Sequence, residues 1–161
     1  MKTYRSPREL LSDVARVLAT KRSPFHRSPL EDTIELLSRG RHYSWIGIYL
    51  TLGNLGQQLL GAGGDPHPGL MARPETRSKI LISMKLAGRE FGVLDVESDQ
   101  ENAFGVEDRV MLETAANLLA RFLAGSGRFI VRKARTQAAS ESSLPAAKSN
   151  QLRTRGQRTR G

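Results

Sequence analysis

KILISMKLAGREFGVLDVESDQENAFGVEDRVMLETAANLLARFLA, residues 79–124, is the stretch whose reading decides the fold. In its first segment Ile80, Ile82, Met84 and Leu86 fall on one face of an extended chain, and Lys79, Leu81, Ser83 and Lys85 fall on the other. In its second, Gly92, Leu94 and Val96 alternate with Phe91, Val93, Asp95 and Glu97. The two strands are predicted to meet through a three-residue loop, Ala87-Gly88-Arg89, with Gly88 near the left-handed region and Leu86 opposite Glu90. That odd loop sets Ile80 across from Val96 and Lys79 across from Glu97, whereas a two-residue loop would set Ile80 opposite Glu97 and mix the core face with the polar face. After Phe104 the pattern becomes helical, with Val110, Met111, Ala115, Leu118, Leu119, Phe122 and Leu123 at helical spacing. Gly105 is the expected N-cap, Glu107 and Asp108 place negative charge in the first turn, Arg121 sits in the last turn and Gly125 ends the helix.

Working outward, Ser6-Pro7-Arg8-Glu9 carries an N-cap, a proline at the first helical position and a Glu able to complete a capping box. Leu10, Leu11, Val14, Val17 and Leu18 predict an amphipathic helix to about Thr20. Ser28-Pro29-Leu30-Glu31 repeats the start, with Leu30, Ile34 and Leu37 as the stripe and Gly40 as the stop. Tyr43 to Leu50 reads as a strand with Ile46, Ile48 and Leu50 on one face and Tyr43, Trp45 and Tyr49 on the other. Gly53-Asn54 is a turn and Leu55 to Ala62 a returning strand. Gly63 to Thr76 has the Gly, Pro and polar composition of a loop.

In this order, Trp45-Ile46-Gly47-Ile48-Tyr49-Leu50, Arg77-Ser78-Lys79-Ile80-Leu81-Ile82, Gly92-Val93-Leu94-Asp95-Val96-Glu97-Ser98, and Phe104 with Glu107-Asp108 resemble a GAF domain over residues 28–125. The resemblance implies an α/β (α+β) fold: a central antiparallel sheet with N-terminal and C-terminal helices packed on one face and a ligand pocket on the other. It divides the chain into an N-terminal helix and linker (1–27), a GAF-like domain (28–127) and a basic tail (128–161). The connection from 63 to 76 is shorter than the lid region of most such domains, which implies an open pocket or none.

The resemblance also implies what kinds of function to weigh. One GAF subfamily reduces free methionine-R-sulfoxide, and Trp45, Tyr49, Asp95 and Glu97 match its pocket-lining positions, making them the candidate ligand-binding residues. That chemistry uses cysteine nucleophiles, and the chain has no cysteine, so no catalytic residue is assigned. The subfamily's acidic residue after Arg-Ser is here Lys79, for which an exposed cross-strand pair with Glu97, worth about 0 to 1 kcal/mol, is the expectation. Asn102, Phe104, Glu107 and Asp108 resemble a motif of cyclic-nucleotide-binding members, with Phe104 read instead as a hydrophobic staple. The implied function is a noncatalytic sensory or protein-interaction module with an unknown small molecule as ligand and no cofactor. The alternatives are a reductase-like protein and a nucleic-acid-associated one.

The remaining features narrow these classes. His26, His42 and His67 have no ligand-spaced neighbours, so no metal site is expected. Gly61-Ala62-Gly63-Gly64-Asp65 lacks the Lys-Ser/Thr ending of a phosphate loop. The Arg-Ser-Pro triplets at 5–7 and 27–29 are explained by helix capping. No apolar run is long enough to span a bilayer, and a cytoplasmic location without membrane association is the expectation. Residues 1–127 carry sixteen Lys or Arg against fifteen Asp or Glu, while residues 128–161 carry nine against one, so the net charge of +9 belongs almost entirely to the C-terminal end. Disorder is predicted from Ala134 onward. Its repeat, Arg153-Thr154-Arg155-Gly156 and Arg158-Thr159-Arg160-Gly161, makes Arg153, Arg155, Arg158 and Arg160 candidate nucleic-acid contacts. Homodimerisation is expected through Leu10, Val14 and Val17 joined with Leu118 and Phe122 of the terminal helices.

Overall fold

The computed structural model describes residues 4–20, 27–64 and 75–142. The element order is α1 (Pro7–Ala19), α2 (Pro29–Gly40), β1 (Trp45–Thr51), a single 3-10 turn (Gly53–Leu55), β2 (Gln57–Gly64), β3 (Ser78–Leu86), β4 (Arg89–Ser98), α3 (Val106–Ala124) and α4 (Arg128–Ser142). All strand pairs are antiparallel, in the order β2-β1-β4-β3, giving the expected α+β arrangement.

The sheet's core face is built by the alternation seen in sequence: Ile46, Ile48 and Leu50 of β1, Ile80, Ile82 and Met84 of β3, and Leu94 and Val96 of β4 are all buried. Onto it pack α2, mainly against β2, and α3, mainly against β3, while α1 lies across α2 and α3. On α3 the buried stripe is Met111, Leu112, Ala115, Ala116, Leu119, Ala120 and Leu123, whose small residues let the helix approach closely. Val110 is not part of it and is 56% exposed. Leu10 and Val14 of α1 and Phe122 of α3 are buried in this same core. Val17 and Leu118, the other two residues assigned to a dimer interface, are half-buried.

Caps fix the helix starts as read. The Ser6 hydroxyl accepts from the Glu9 amide and the Glu9 carboxylate accepts from the Ser6 amide, both at 3.3 Å. The Ser28 hydroxyl accepts from the Leu30 amide. At α3 the Gly105 amide donates to the Asp108 carboxylate at 3.2 Å.

The hairpin between β3 and β4 reaches the expected register by a different route. Its turn has two residues, Ala87 (φ 51) and Gly88 (φ 74), with Leu86 paired to Arg89. Positive φ at both positions matches the right-handed twist of the flanking strands. The odd residue sits instead in β4, where pairing passes from Lys85–Glu90 to Met84–Gly92 and leaves Phe91 as a bulge. Ile80 still faces Val96 and Lys79 still faces Glu97. The parity demanded by the core was met, and the loop length was not what met it.

Three expectations need correction. Tyr43 precedes β1 and is wholly buried beside α3 rather than lying on the sheet's outer face. The second strand runs two residues further, to Gly64, and the rest of the expected loop through residue 74 lies outside the described residues. Residues 128–142 form α4, not a disordered tail, because Val131 and Ala134 find buried positions against the rest of the fold. Residues 143–161, including Arg153, Arg155, Arg158 and Arg160, lie outside the described residues.

Candidate functional site

The four candidate ligand residues share the sheet face opposite the helices. Strand pairing sets Trp45 across from Glu97, Gly47 across from Asp95, and Tyr49 across from Val93. On the other side of β4, Lys79 lies across from Glu97 and Leu81 across from Asp95. Trp45, Glu97 and Lys79 thus form one row over three strands, with Gly47, Asp95 and Leu81 forming the next. The Ser44 amide and hydroxyl both donate to the Glu97 carbonyl, at 2.9 and 3.2 Å, which fixes the β1–β4 alignment at this end.

Depth separates these residues. Trp45 is only 4% exposed, and its indole lies along the strand over Gly47, where an added Cβ would meet the ring at 2.3 Å. Gly47 is therefore required by the tryptophan, a contact that parity alone places on the same face. The Asp95 and Glu97 side chains are 7% and 1% exposed, whereas Lys79 is 37% exposed. The Lys79 ammonium lies 3.0 Å from Asp95 and 3.7 Å from Glu97. This corrects the expected exposed pair with Glu97: the carboxylates are recessed, the lysine arches over them, and its nearer partner is the diagonal neighbour. Burial pushes the Lys79 pKa down, but the bond to Asp95 and the charges of Asp95 and Glu97 outweigh it and raise the ammonium above its ordinary value. Burial, then Asp95, raise the Tyr49 phenol. Both groups hold their protons at neutral pH. The arrangement places the paired carboxylates of β4 between the aromatic side chains of β1 and the ammonium of β3, which is binding chemistry, with no cysteine in it.

A second buried ionic cluster, not anticipated from sequence, lies on the helical side. Asp108 accepts from the Tyr43 hydroxyl at 2.6 Å, from the Arg41 guanidinium at 2.8 Å and from the Gly105 amide. The Arg41 side chain has no exposure, is covered by Tyr4 at 4.1 Å from ring centroid to guanidinium carbon, and also donates to the Arg5 carbonyl. Burial alone would raise the Asp108 pKa, yet its three donors hold it below the ordinary carboxylate range. Burial and then Asp108 push the Tyr43 phenol well up. Phe104 stacks on Tyr43, with centroids 5.6 Å apart. His42 donates from Nε2 to the Ala103 carbonyl at 2.5 Å, a structural role.

Asn102 and Phe104 line an open cleft of about 450 Å³ beside Lys79, Arg77 and Arg109. Asp108 does not line it, being committed to Arg41 and Tyr43. The cyclic-nucleotide motif is thus divided between a surface cleft and a buried cluster. Among the described residues no group of His, Cys, Asp and Glu could hold a metal ion, and no helix is long and apolar enough to cross a membrane.

No family model and no curated protein matches the chain. Solved structures do. The free methionine-R-sulfoxide reductase from Neisseria meningitidis, in complex with its substrate, superposes with a TM-score of 0.61 at 21% identity, covering 86% of this chain and 99% of that one. The type II free methionine-R-sulfoxide reductase from Thermoplasma acidophilum gives 0.54 at 21% identity, over 69% and 95% of the two chains. A GAF domain gives 0.57 at 17% identity, over 72% and 88%. At these identities the likeness speaks to architecture, and with the strand order, register and helix placement above, the chain has a GAF-like fold.

Proposed function

We propose that the protein is a noncatalytic, GAF-like sensory module that binds a small amine-bearing molecule, such as a free amino acid or its sulfoxide, on the sheet face opposite its helices. The observation that carries this reading is the recessed pair Asp95 and Glu97 beside Trp45 and Tyr49. Carboxylates held out of bulk solvent favour an ammonium far more than exposed ones do, and an aromatic wall adds attraction for a cation. Lys79 supports the assignment, since its own ammonium already rests there at 3.0 Å from Asp95. A ligand amine would displace or join it. The absence of cysteine argues against thiol turnover of a bound sulfoxide, whatever the likeness of the fold.

Trp45 is the chain's one tryptophan, so intrinsic fluorescence reads this site directly. Titration with free amino acids and methionine sulfoxide should give a saturable change in emission that Asp95→Asn abolishes. A flat titration across amines would overturn the ligand assignment. NADPH consumption with methionine sulfoxide and a thioredoxin system should stay at background, and clear turnover would overturn the noncatalytic reading.

A further inference from the structure

The charge of this protein is unevenly matched. In the sheet and first helices many cations sit against carboxylates: Arg5 and Arg16 with Asp13, Arg27 and Arg39 with Glu35, Arg41 with Asp108, Arg77 with Glu101, and Lys79 with Asp95. Arg8, Lys85, Arg89, Arg109 and Arg121 are scattered exposed exceptions, whereas on α4 the unmatched cations are gathered on one short helix. Arg128, Arg132, Lys133 and Arg135 are all exposed and make no ion pair with any described residue. The helix's single carboxylate, Glu141, lies in its last turn.

Helical spacing orders these cations. Arg128, Arg132 and Arg135 stand at i, i+4 and i+7, one stripe about 10 Å long at 1.5 Å per residue. Val131 and Ala134, on the neighbouring face of the helix, are buried, so they anchor the stripe along the edge of the folded domain. Phe129 is 57% exposed, and on the helical wheel it falls between Arg132 and Lys133. An aromatic ring left in solvent and flanked by unmatched cations is the pairing that binds single-stranded nucleic acid, where the ring stacks on a base and the cations follow the phosphates.

We propose that α4 is a single-stranded nucleic-acid interface, with Phe129 as the stacking side chain and Arg128, Arg132, Lys133 and Arg135 as phosphate contacts. Val131 and Ala134 face the domain, and Phe129 is the one large apolar side chain that α4 exposes, too little apolar surface to enter a bilayer, which disfavours an anionic membrane as the partner. The basic repeat at 153–161 would then add length-dependent attraction to a site fixed by the folded helix, rather than constitute the site.

The test uses the full-length chain and fluorescein-labelled oligo(dT) and oligo(U) of twenty nucleotides, followed by polarisation at several salt concentrations. Replacing Arg128, Arg132, Lys133 and Arg135 together by Gln should weaken binding at least tenfold and reduce the log–log salt slope by about 3. Phe129→Leu should weaken single-strand binding about tenfold without changing that slope. Replacing Lys148, Arg153, Arg155, Arg158 and Arg160 by Gln should cost less than the α4 replacement. The proposal is overturned if the tail variant alone loses binding, if Phe129→Leu binds as the parent does, or if a duplex of the same length binds as tightly as the single strand. Binding to phosphatidylserine vesicles without binding to either oligonucleotide would overturn it too. Should circular dichroism show that the fourfold variant has lost helix, Phe129→Leu and the tail comparison still decide the matter.

Discussion

The two buried ionic clusters use the same ingredients to opposite ends. At Arg41–Asp108 one carboxylate collects a guanidinium, a phenol and a backbone amide, and the cation has no exposed surface. At Lys79–Asp95–Glu97 two carboxylates share a lysine that keeps 37% of its side chain in solvent. The first arrangement ties together the end of α2, the approach to β1 and the start of α3, and nothing can enter it without dismantling the fold. The second lies on a face that no described helix covers, under a mobile type of side chain whose ammonium a ligand could replace. Where a buried charge is fully wrapped it serves architecture; where its partner is half in water it is available for exchange.

The sharpest way to break this contrast is to remove each cation. Arg41→Met should lower unfolding stability by about 3 kcal/mol or more, because it strands a buried carboxylate, as read from the shift of the urea midpoint. Lys79→Met should cost less, because the ammonium it removes is half in solvent and water can reach the place it leaves above Asp95 and Glu97, and equal losses at the two sites would refute the distinction.

Next in size is a pH effect. The Asp108 pKa is lowered in the folded state, so its contribution is present above the unfolded carboxylate pKa of about 4 and is lost as pH falls through the folded value. The stability gap between the parent and Asp108→Asn should therefore be constant from pH 7 to 5 and shrink below pH 4. Lys79 is shifted upward, so its smaller contribution should persist at neutral pH and disappear only as pH rises through its raised value, above about 10. Smaller again is Tyr43→Phe, which removes one donor to Asp108 and should cost about 1 to 2 kcal/mol in the same urea assay while leaving amine titration of Trp45 unchanged.

Periodicity made the sheet and the first three helices legible. Parity assigned Ile46, Ile48, Leu50, Leu94 and Val96 to the core and Trp45, Tyr49, Asp95 and Glu97 to the other face, and the structure places them so. It could not give depth, since which side chains of an outer face are recessed depends on what neighbours them across strands. The Arg41–Tyr43–Asp108 cluster was hidden for another reason. Asp108 lies more than sixty residues from Arg41 and Tyr43, and an Asp three residues past a helix N-cap reads as a cap, which it also is. Helix α4 escaped notice because two buried side chains, Val131 and Ala134, anchor it, too few to make a visible stripe.

The bulge at Phe91 changes how length variation in this hairpin should be understood. What the core constrains is the pairing of Ile80 with Val96, and the surplus residue can sit in the strand or in the turn without disturbing it. Deleting Phe91 would bring the Lys85–Glu90 and Met84–Gly92 pairs next to each other in a regular ladder, and a residue added to the Ala87-Gly88 turn would only lengthen a loop. In both cases Asp95 and Glu97 keep their face. Length variation is thus absorbed at the closed end of the hairpin, and the carboxylates are insulated from it.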